Sequence, residues 1–250
     1  MKSAVDVEAI IQARVGSTRL PEKVFLKIGP STILEWVIER LREVAAVERV
    51  VVATTNASRD DLIEKMAERL GVAVFRGEED DVLDRFYRTL ETYPAKTIVR
   101  ATADNPLLDP ASLEMMIRAH IAGGHDHTGG GGVIPLGLTA EVVSSSAINI
   151  AWRQTIEKPH REHVTPYIYT HPEMFRLASV PVSPKISGRY YRFTVDTGED
   201  YNLMTAIHDR LSVKGLAFCA EEAVRLLDEN PELAVMNGGV VQKDWRKELS

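Results

Sequence analysis

The sequence predicts an α/β fold: a mostly parallel sheet flanked by helices. Two observations carry that expectation. Apolar, largely β-branched runs recur at residues 7–13, 50–55, 72–75 and 97–102. Between them, apolar residues fall at helical spacing and are bounded by capping or breaking residues, so strand and helix alternate as in parallel sheets.

Taken in order, residues 7–13 read as a buried first strand. Ile33, Leu34, Val37, Ile38 and Leu41 predict a helix over residues 31–44. After the second strand, Ser58 reads as an N-cap, with Asp61 at the third helical position. Leu62, Ile63, Met66 and Leu70 form the buried face of that helix, and Gly71 ends it. Leu83, Phe86, Tyr87 and Leu90 mark a further helix. Asp109 and Pro110 open another as capping acid and first-turn proline. Residues 138–143 and 190–195 read as strands. Thr197 caps a helix whose apolar face includes Leu203, Met204, Ile207 and Leu211, and residues 221–227 form a short helix. A polar tail holding Gly238, Gly239, Lys243 and Arg246 carries no readable motif. No repeat or linker interrupts the chain, so residues 1–250 are expected to form one domain.

Composition narrows the function classes. Hydrophobic content of 44% and charged content of 26% are ordinary for a globular chain. The net charge of −6, from 30 basic and 36 acidic residues, argues against nonspecific nucleic-acid binding, which needs a broad positive field. Cys219 is the single cysteine, which excludes an intrachain disulfide and a cysteine zinc site. Asp6 and Glu8 break the first apolar stretch, so it does not read as a signal peptide. No uncharged run approaches the roughly 20 residues that span a bilayer. A cytoplasmic protein is the expectation.

Ligands of parallel sheets bind beyond the carboxyl ends of the strands, so the loops there carry the candidate chemistry. Residues 12–23, QARVGSTRLPEK, follow the first strand. Gly16 admits close backbone approach, Ser17 and Thr18 offer hydroxyls, and Arg14, Arg19 and Lys23 supply the charge a polyphosphate needs. A basic surface turn with solvated side chains accounts for the same residues. Neither GxxxxGK[ST] nor GxGxxG is present. Asp104 sits where a β-branched run ends. It either accepts hydrogen bonds from the turn before Asn105-Pro106 or ligates a divalent cation. Asp196 repeats that placement. The two carboxylates meet only if their strands are neighbours, and they would then need a cation between them. The acid-rich residues 76–84 read as a solvated helix N-terminus or a metal site. The glycine-rich residues 123–137 read as a mobile loop, a lid over a ligand, in which His125, Asp126 and His127 are either solvated or metal ligands. His160 and His163 share a helical face. Arg161 either grips a carboxylate of a ligand or pairs with Glu162 or a neighbour.

Four segments carry a family resemblance: ARVGSTRLPEK at residues 13–23, TADNP around Asp104, REHVTPYI from Arg161, and VDTGED around Asp196. In this order, from about Ala9 to about Ile207, they resemble the cytidylyltransferases that make CMP-activated acidic sugars. That family includes the Kdo and neuraminate cytidylyltransferases and the spore-coat-polysaccharide cytidylyltransferase-like proteins. Two departures stand out. Glu22 occupies a position where the family usually has glycine. Residues 134–141 keep Gly137 and Glu141 of a family segment but lack two of its acids, which bears on sugar specificity.

The resemblance implies the nucleotide-diphospho-sugar transferase fold, GT-A-like and Rossmann-like. It implies a reaction of CTP with a sugar, an acidic one by analogy, to a CMP-sugar and pyrophosphate for surface-polysaccharide synthesis. Mg²⁺ would sit on Asp104 and Asp196. Ala13, Arg14, Gly16, Ser17, Thr18, Arg19 and Lys23 would bind the nucleotide, with Arg14, Lys23 and Asp104 catalytic. Arg76 and Arg85 are candidate nucleotide or sugar contacts, and Glu141, Arg161 and His163 candidate sugar contacts. Homodimers are common in the family, and no interface is legible here. Two other readings fit the same fold: a glycosyltransferase that consumes a nucleotide sugar, and a non-catalytic nucleotide- or sugar-binding subunit.

Overall fold

Strands buried on both faces need helices to cover them, and here the helices lie between consecutive strands. The computed structural model describes residues 4–242; Lys243 and Arg246 lie outside them. The strands are β1 (Val5–Gln12), β2 (Lys27–Ile28), β3 (Ser31–Thr32), β4 (Arg49–Thr55), β5 (Ala73–Gly77), β6 (Ala95–Thr102), β7 (His127–Gly131), β8 (Glu141–Ser144) and β9 (Leu177–Pro181). The α-helices are α1 (Ile33–Arg42), α2 (Asp61–Arg69), α3 (Val82–Thr92), α4 (Pro110–Gly123), α5 (Ser145–Gln154), α6 (Lys158–His163), α7 (Pro166–Tyr169), α8 (Gly198–Val213), α9 (Ala220–Glu229) and α10 (Pro231–Ala234).

Seven strands form one sheet in the order β5-β4-β1-β6-β8-β7-β9, while β2 and β3 make a separate small hairpin. The first four are mutually parallel, β8 runs antiparallel to β6 and β7, and β9 is parallel to β7. Alternation along β1 divides the core. Val7, Ala9 and Ile11 pack with α1, α4, α8 and α9, whereas Ile10 packs with Leu83, Phe86, Ile98 and Ile148 on the other face. Among the described residues no helix is long and apolar enough to cross a membrane.

Several boundaries differ from the sequence expectation. α1 begins at Ile33 because Thr32 and Glu35 form a capping box, with Glu35 N donating to Thr32 Oγ1 (3.2 Å) and Thr32 N to Glu35 Oε2 (2.7 Å). Ser58 does not cap α2 but opens a 3-10 turn, Ser58–Asp60, and Leu62 is 56% exposed rather than buried. The glycine-rich stretch is in part a strand. Its backbone, not its side chains, makes the ladder, with Gly129, Gly130 and Gly131 opposite Ser179, Val180 and Pro181. Among the described residues no group of three or more metal-ligating side chains gathers there; His127 bonds Glu141 at 2.9 Å, and Asp126 accepts from Ser144 Oγ (3.1 Å) and Arg176 N (2.9 Å).

Residues 190–195 do not join the sheet. They run beside the loop before β8, bridged at Leu136 and Arg192. Phe193 N donates to Leu136 O (2.7 Å) and Val195 N to Asp104 O (2.9 Å). Gly137 makes this approach feasible: its φ is +95°, and a Cβ there would lie 2.7 Å from Thr194 N and 2.8 Å from Phe193 C. That contact carries Asp196 to the end of β6.

Candidate active site

The loop after β1 is held from below by a residue the sequence reading did not single out. Asp60, fully buried, accepts from Val15 N at 2.8 Å and from Thr55 Oγ1. Ala13 is fixed by its N–H on Ala53 O (3.2 Å), and Ser17 Oγ accepts from Leu20 N (3.3 Å). A Cβ at Gly16 would meet only the ends of Arg59 and Glu79, at 3.4 Å, so the protein's own packing does not demand glycine there. Thr18 and Arg14 are exposed.

Lys23 brings the two acidic motifs together. Its Nζ donates to Asp104 Oδ2 (2.7 Å), Asp196 Oδ1 (2.8 Å) and Val195 O (2.9 Å). The other oxygens are also engaged. Asp104 Oδ1 accepts from Thr102 Oγ1 (2.6 Å), and Asp196 Oδ2 from Arg192 Nη2 (2.7 Å), with Arg19 Nη2 at 3.1 Å. Burial alone would lower the Lys23 ammonium's pKa, but Asp104 and Asp196 outweigh it and hold the group above the ordinary lysine value. Burial likewise pushes the Asp196 carboxyl up, and Lys23, Arg19 and Arg192 bring it below the usual range. Arg192 extends the network to buried Asp200 (2.9 Å), which accepts from Asn237 Nδ2 at 2.8 Å. Thr197 and Asp200 form the capping box of α8.

Two clefts adjoin each other, sharing Gln12 and His163, and the second of them reaches the cluster. The first, about 300 Å³, is lined by Ala13, Arg14, Glu79, Asp80, Arg85 and Lys158 among others. Arg85 is only 2% exposed. Its Nη1 donates to Glu78 O (2.9 Å), and its Nε has no hydrogen-bond partner among the described residues. Burial, reinforced by the Arg14 charge, lowers its pKa to about 10. The second cleft, about 500 Å³, is bordered by Arg19, Arg100, Asp104, Asn105, Glu141 and Asp196, with apolar Ile134, Pro135 and Leu136. Glu141 lies 3.2 Å from Arg100 and 2.9 Å from His127 and accepts from Thr165 Oγ1 (2.9 Å). Burial would raise its pKa; His127, Arg100 and Thr165 together lower it to about 2.

Two predicted contacts lie elsewhere. Arg76 is spent on the β4–α2 connection, donating to Asp61 (2.6 Å), Glu64 (2.7 Å), Thr55 O and Ala57 O (2.9 Å each). It borders neither cleft, because parallel pairing of β5 on β4 sets Arg76 opposite Thr54, beside the acids of α2. Arg161 holds the α3 N-cap: Nε donates to Asp81 Oδ2 (2.9 Å) and Nη1 to Trp152 O (3.0 Å). Its ion-pair partner is thus Asp81, not the adjacent Glu162. Residues that sequence reasoning missed include Gln12 and Arg100, whose guanidinium donates to Gln12 Oε1 at 2.8 Å. An arginine inside the buried run 97–102 was the available signal for Arg100. Arg192 and Asn237 carried none.

Residues 8–233 match the family model described as cytidylyltransferase. The chain belongs to the cytidylyltransferase family. It is 38% identical over 236 residues to the spore coat polysaccharide biosynthesis protein SpsF of Bacillus subtilis, covering 92% of this chain and 97% of that one. Its fold matches a cytidylyltransferase from Leptospira borgpetersenii with a TM-score of 0.84 and 30% identity, over 96% and 100% of the two chains. It also matches a CMP:2-keto-3-deoxy-manno-octonic acid synthetase complexed with CTP, with a TM-score of 0.61 and 15% identity over 84% and 99%. Family membership makes the protein a nucleotidyltransferase, in place of the glycosyltransferase and non-catalytic readings.

A divalent cation fits the donor set of this cytidylyltransferase. Asp104 Oδ2 and Asp196 Oδ1 face a common point, and a positive charge, the Lys23 ammonium, stands there. Among the described residues no group of three or more His, Cys, Asp or Glu gathers. Two hard carboxylates suit Mg²⁺, which takes its other ligands from water and substrate phosphates.

Proposed function

We propose that this cytidylyltransferase transfers the CMP group of CTP to a sugar hydroxyl and releases pyrophosphate, supplying a CMP-sugar to surface-polysaccharide synthesis. The observation that carries this reading is the meeting of Lys23, Asp104, Asp196 and Arg19 beyond the strand ends, at a cleft that shares Gln12 and His163 with a second one. The first cleft takes the nucleotide, with Ala13, Arg14 and Arg85 at its wall. The second takes the sugar.

The sugar oxygen attacks the α-phosphorus, the bond to the departing pyrophosphate breaks, and the hydroxyl proton leaves to solvent. Arg14, Arg19 and Lys23 neutralise the triphosphate and the charge that grows on pyrophosphate, and fixed donors of this kind contribute most where water is excluded. Asp104 and Asp196 would hold Mg²⁺, which when bound neutralises phosphate oxygens and makes the acceptor hydroxyl more acidic. Gly16, Ser17 and Thr18 line the loop that follows the phosphates, and His163 stands between nucleotide and sugar. An acidic sugar has to share Arg100 with Glu141, since Arg161 is committed to Asp81.

The test is pyrophosphate release with Mg²⁺ across the four nucleoside triphosphates and a panel of acidic and neutral sugars. Release is expected with CTP and one sugar, and loss of at least about a thousandfold in Asp104→Asn. Absence of triphosphate binding by calorimetry would sink the reading.

A further inference from the structure

We propose that Lys23 is a built-in competitor of the divalent cation: its ammonium keeps Asp104 and Asp196 together in the free protein, and the metal enters only when a triphosphate draws Lys23 away. The inference rests on the nucleotidyl-transfer reading above and adds an order of binding to it.

The geometry leaves no room for both cations. The Lys23 ammonium donates to Asp104 Oδ2, Asp196 Oδ1 and Val195 O, which uses every N–H it has. The two oxygens it occupies are the ones that face each other. The outer oxygens are bonded to Thr102, Arg192 and Arg19. Charge gives the same answer. Asp104, Asp196 and Asp200 are matched by Lys23, Arg19 and Arg192, so the cluster is already neutral. With a Lys23 side chain only 12% exposed, an added divalent charge meets repulsion that solvent screens poorly.

A triphosphate changes that balance. It offers Lys23 and Arg19 anionic oxygens that compete with the carboxylates. Once the ammonium leaves, Asp104 Oδ2 and Asp196 Oδ1 lose their shared cation, Arg192 remaining on the outer oxygen of Asp196, and the divalent ion becomes the favourable occupant. Triphosphate and metal therefore bind with positive coupling, and reciprocity requires that each tighten the other.

The probe is Mn²⁺ alone, followed by electron paramagnetic resonance, with wild type, Lys23→Met and Lys23→Met/Asp104→Asn in the absence of nucleotide. Methionine keeps length and removes charge. Lys23→Met is expected to bind Mn²⁺ roughly tenfold or more tighter than wild type, and the added Asp104→Asn to abolish the gain. Thermal melts read the same exchange. Lys23→Met melts lower than wild type in chelator and recovers with Mn²⁺, while wild type is insensitive to it. If Lys23→Met does not fold, Lys23→Gln, which keeps donors for the carboxylates, takes its place. Wild type binding nucleotide-free Mn²⁺ as tightly as the variant, with loss in Asp104→Asn, overturns the competition and leaves the metal site standing. No Mn²⁺ binding in any of these proteins overturns the two-carboxylate site itself, while the pyrophosphate assay still judges nucleotidyl transfer separately.

Discussion

The two clefts of this cytidylyltransferase handle positive charge in opposite ways. In the second cleft, the one the proposal gives to the sugar, the cations are matched in advance: Arg100 by Glu141 and Arg19 by Asp196, while Lys23 is matched by Asp104 and Asp196. In the first cleft, the one the proposal gives to the nucleotide, they are not. Arg14 approaches Glu79 only at 3.7 Å, and Arg85 lies buried with an unpartnered Nε. A matched cation holds the protein's own geometry, whereas an unmatched buried one stores a desolvation cost that an incoming anionic or polar ligand relieves. Cutting the Arg100–Glu141 pair should cost stability, and removing the Arg85 charge should cost binding.

The largest expected effect tests the matched side. The Glu141 carboxyl titrates near 2 in the fold against an ordinary 4.5. Its folded pKa is depressed, so its contribution is fully present above about pH 4.5 and is lost as pH falls toward 2. The amount is on the order of 3 kcal/mol. Urea denaturation between pH 5 and 2.5 should show that loss in wild type and much less of it in Glu141→Gln, whose stability is already lower at pH 7. A separate loss between pH 6.5 and 4 belongs to His120, whose burial lowers its pKa to about 4 and keeps it neutral while the unfolded chain takes up a proton. Equal acid profiles for wild type and Glu141→Gln would show that the Arg100–Glu141–His127 cluster does not hold the acceptor wall.

Arg85→Met tests the unmatched side. Calorimetry should show CTP affinity reduced by roughly 10- to 100-fold, the range of one or two hydrogen bonds from a charged donor. The melting temperature should stay level or rise, because a buried guanidinium is replaced by a well-packing apolar chain. A large fall in melting temperature with unchanged CTP affinity would reverse the contrast and make Arg85 a structural residue.

The same contrast explains what the sequence made legible. β1, β4 and β6 carry buried apolar or β-branched stretches because helices cover both faces of the sheet there, and β5, half-buried at the sheet edge, still shows a short apolar run; the sequence places all four to within a few residues. β7 was not, since a ladder over Gly129, Gly130 and Gly131 has no side-chain pattern to read. Asp104 and Asp196 each announced themselves by ending a β-type run. Their meeting depends on Val195 N reaching Asp104 O, a long-range contact that no local spacing encodes. The acids that Arg76 and Arg161 meet, Asp61, Glu64 and Asp81, come from other elements, so local spacing names neither pairing. Charge type was readable residue by residue, and whether a charge is matched was not.

The smallest expected effect lies at the residue before Lys23. Glu22 is exposed and sits at φ +56°, a left-handed conformation that costs a residue with a Cβ roughly 1–2 kcal/mol. Glycine removes that cost but adds freedom to the unfolded chain, which returns part of it, about 0.4–1 kcal/mol. Glu22→Gly is therefore expected to stabilise the fold by up to about 1 kcal/mol, a rise of roughly 2–4 °C in melting temperature. It should leave nucleotide affinity within about twofold, because a solvent-exposed carboxylate is screened from the triphosphate site. If affinity instead rises sharply, the Glu22 charge already opposes the anion from the lip of the loop.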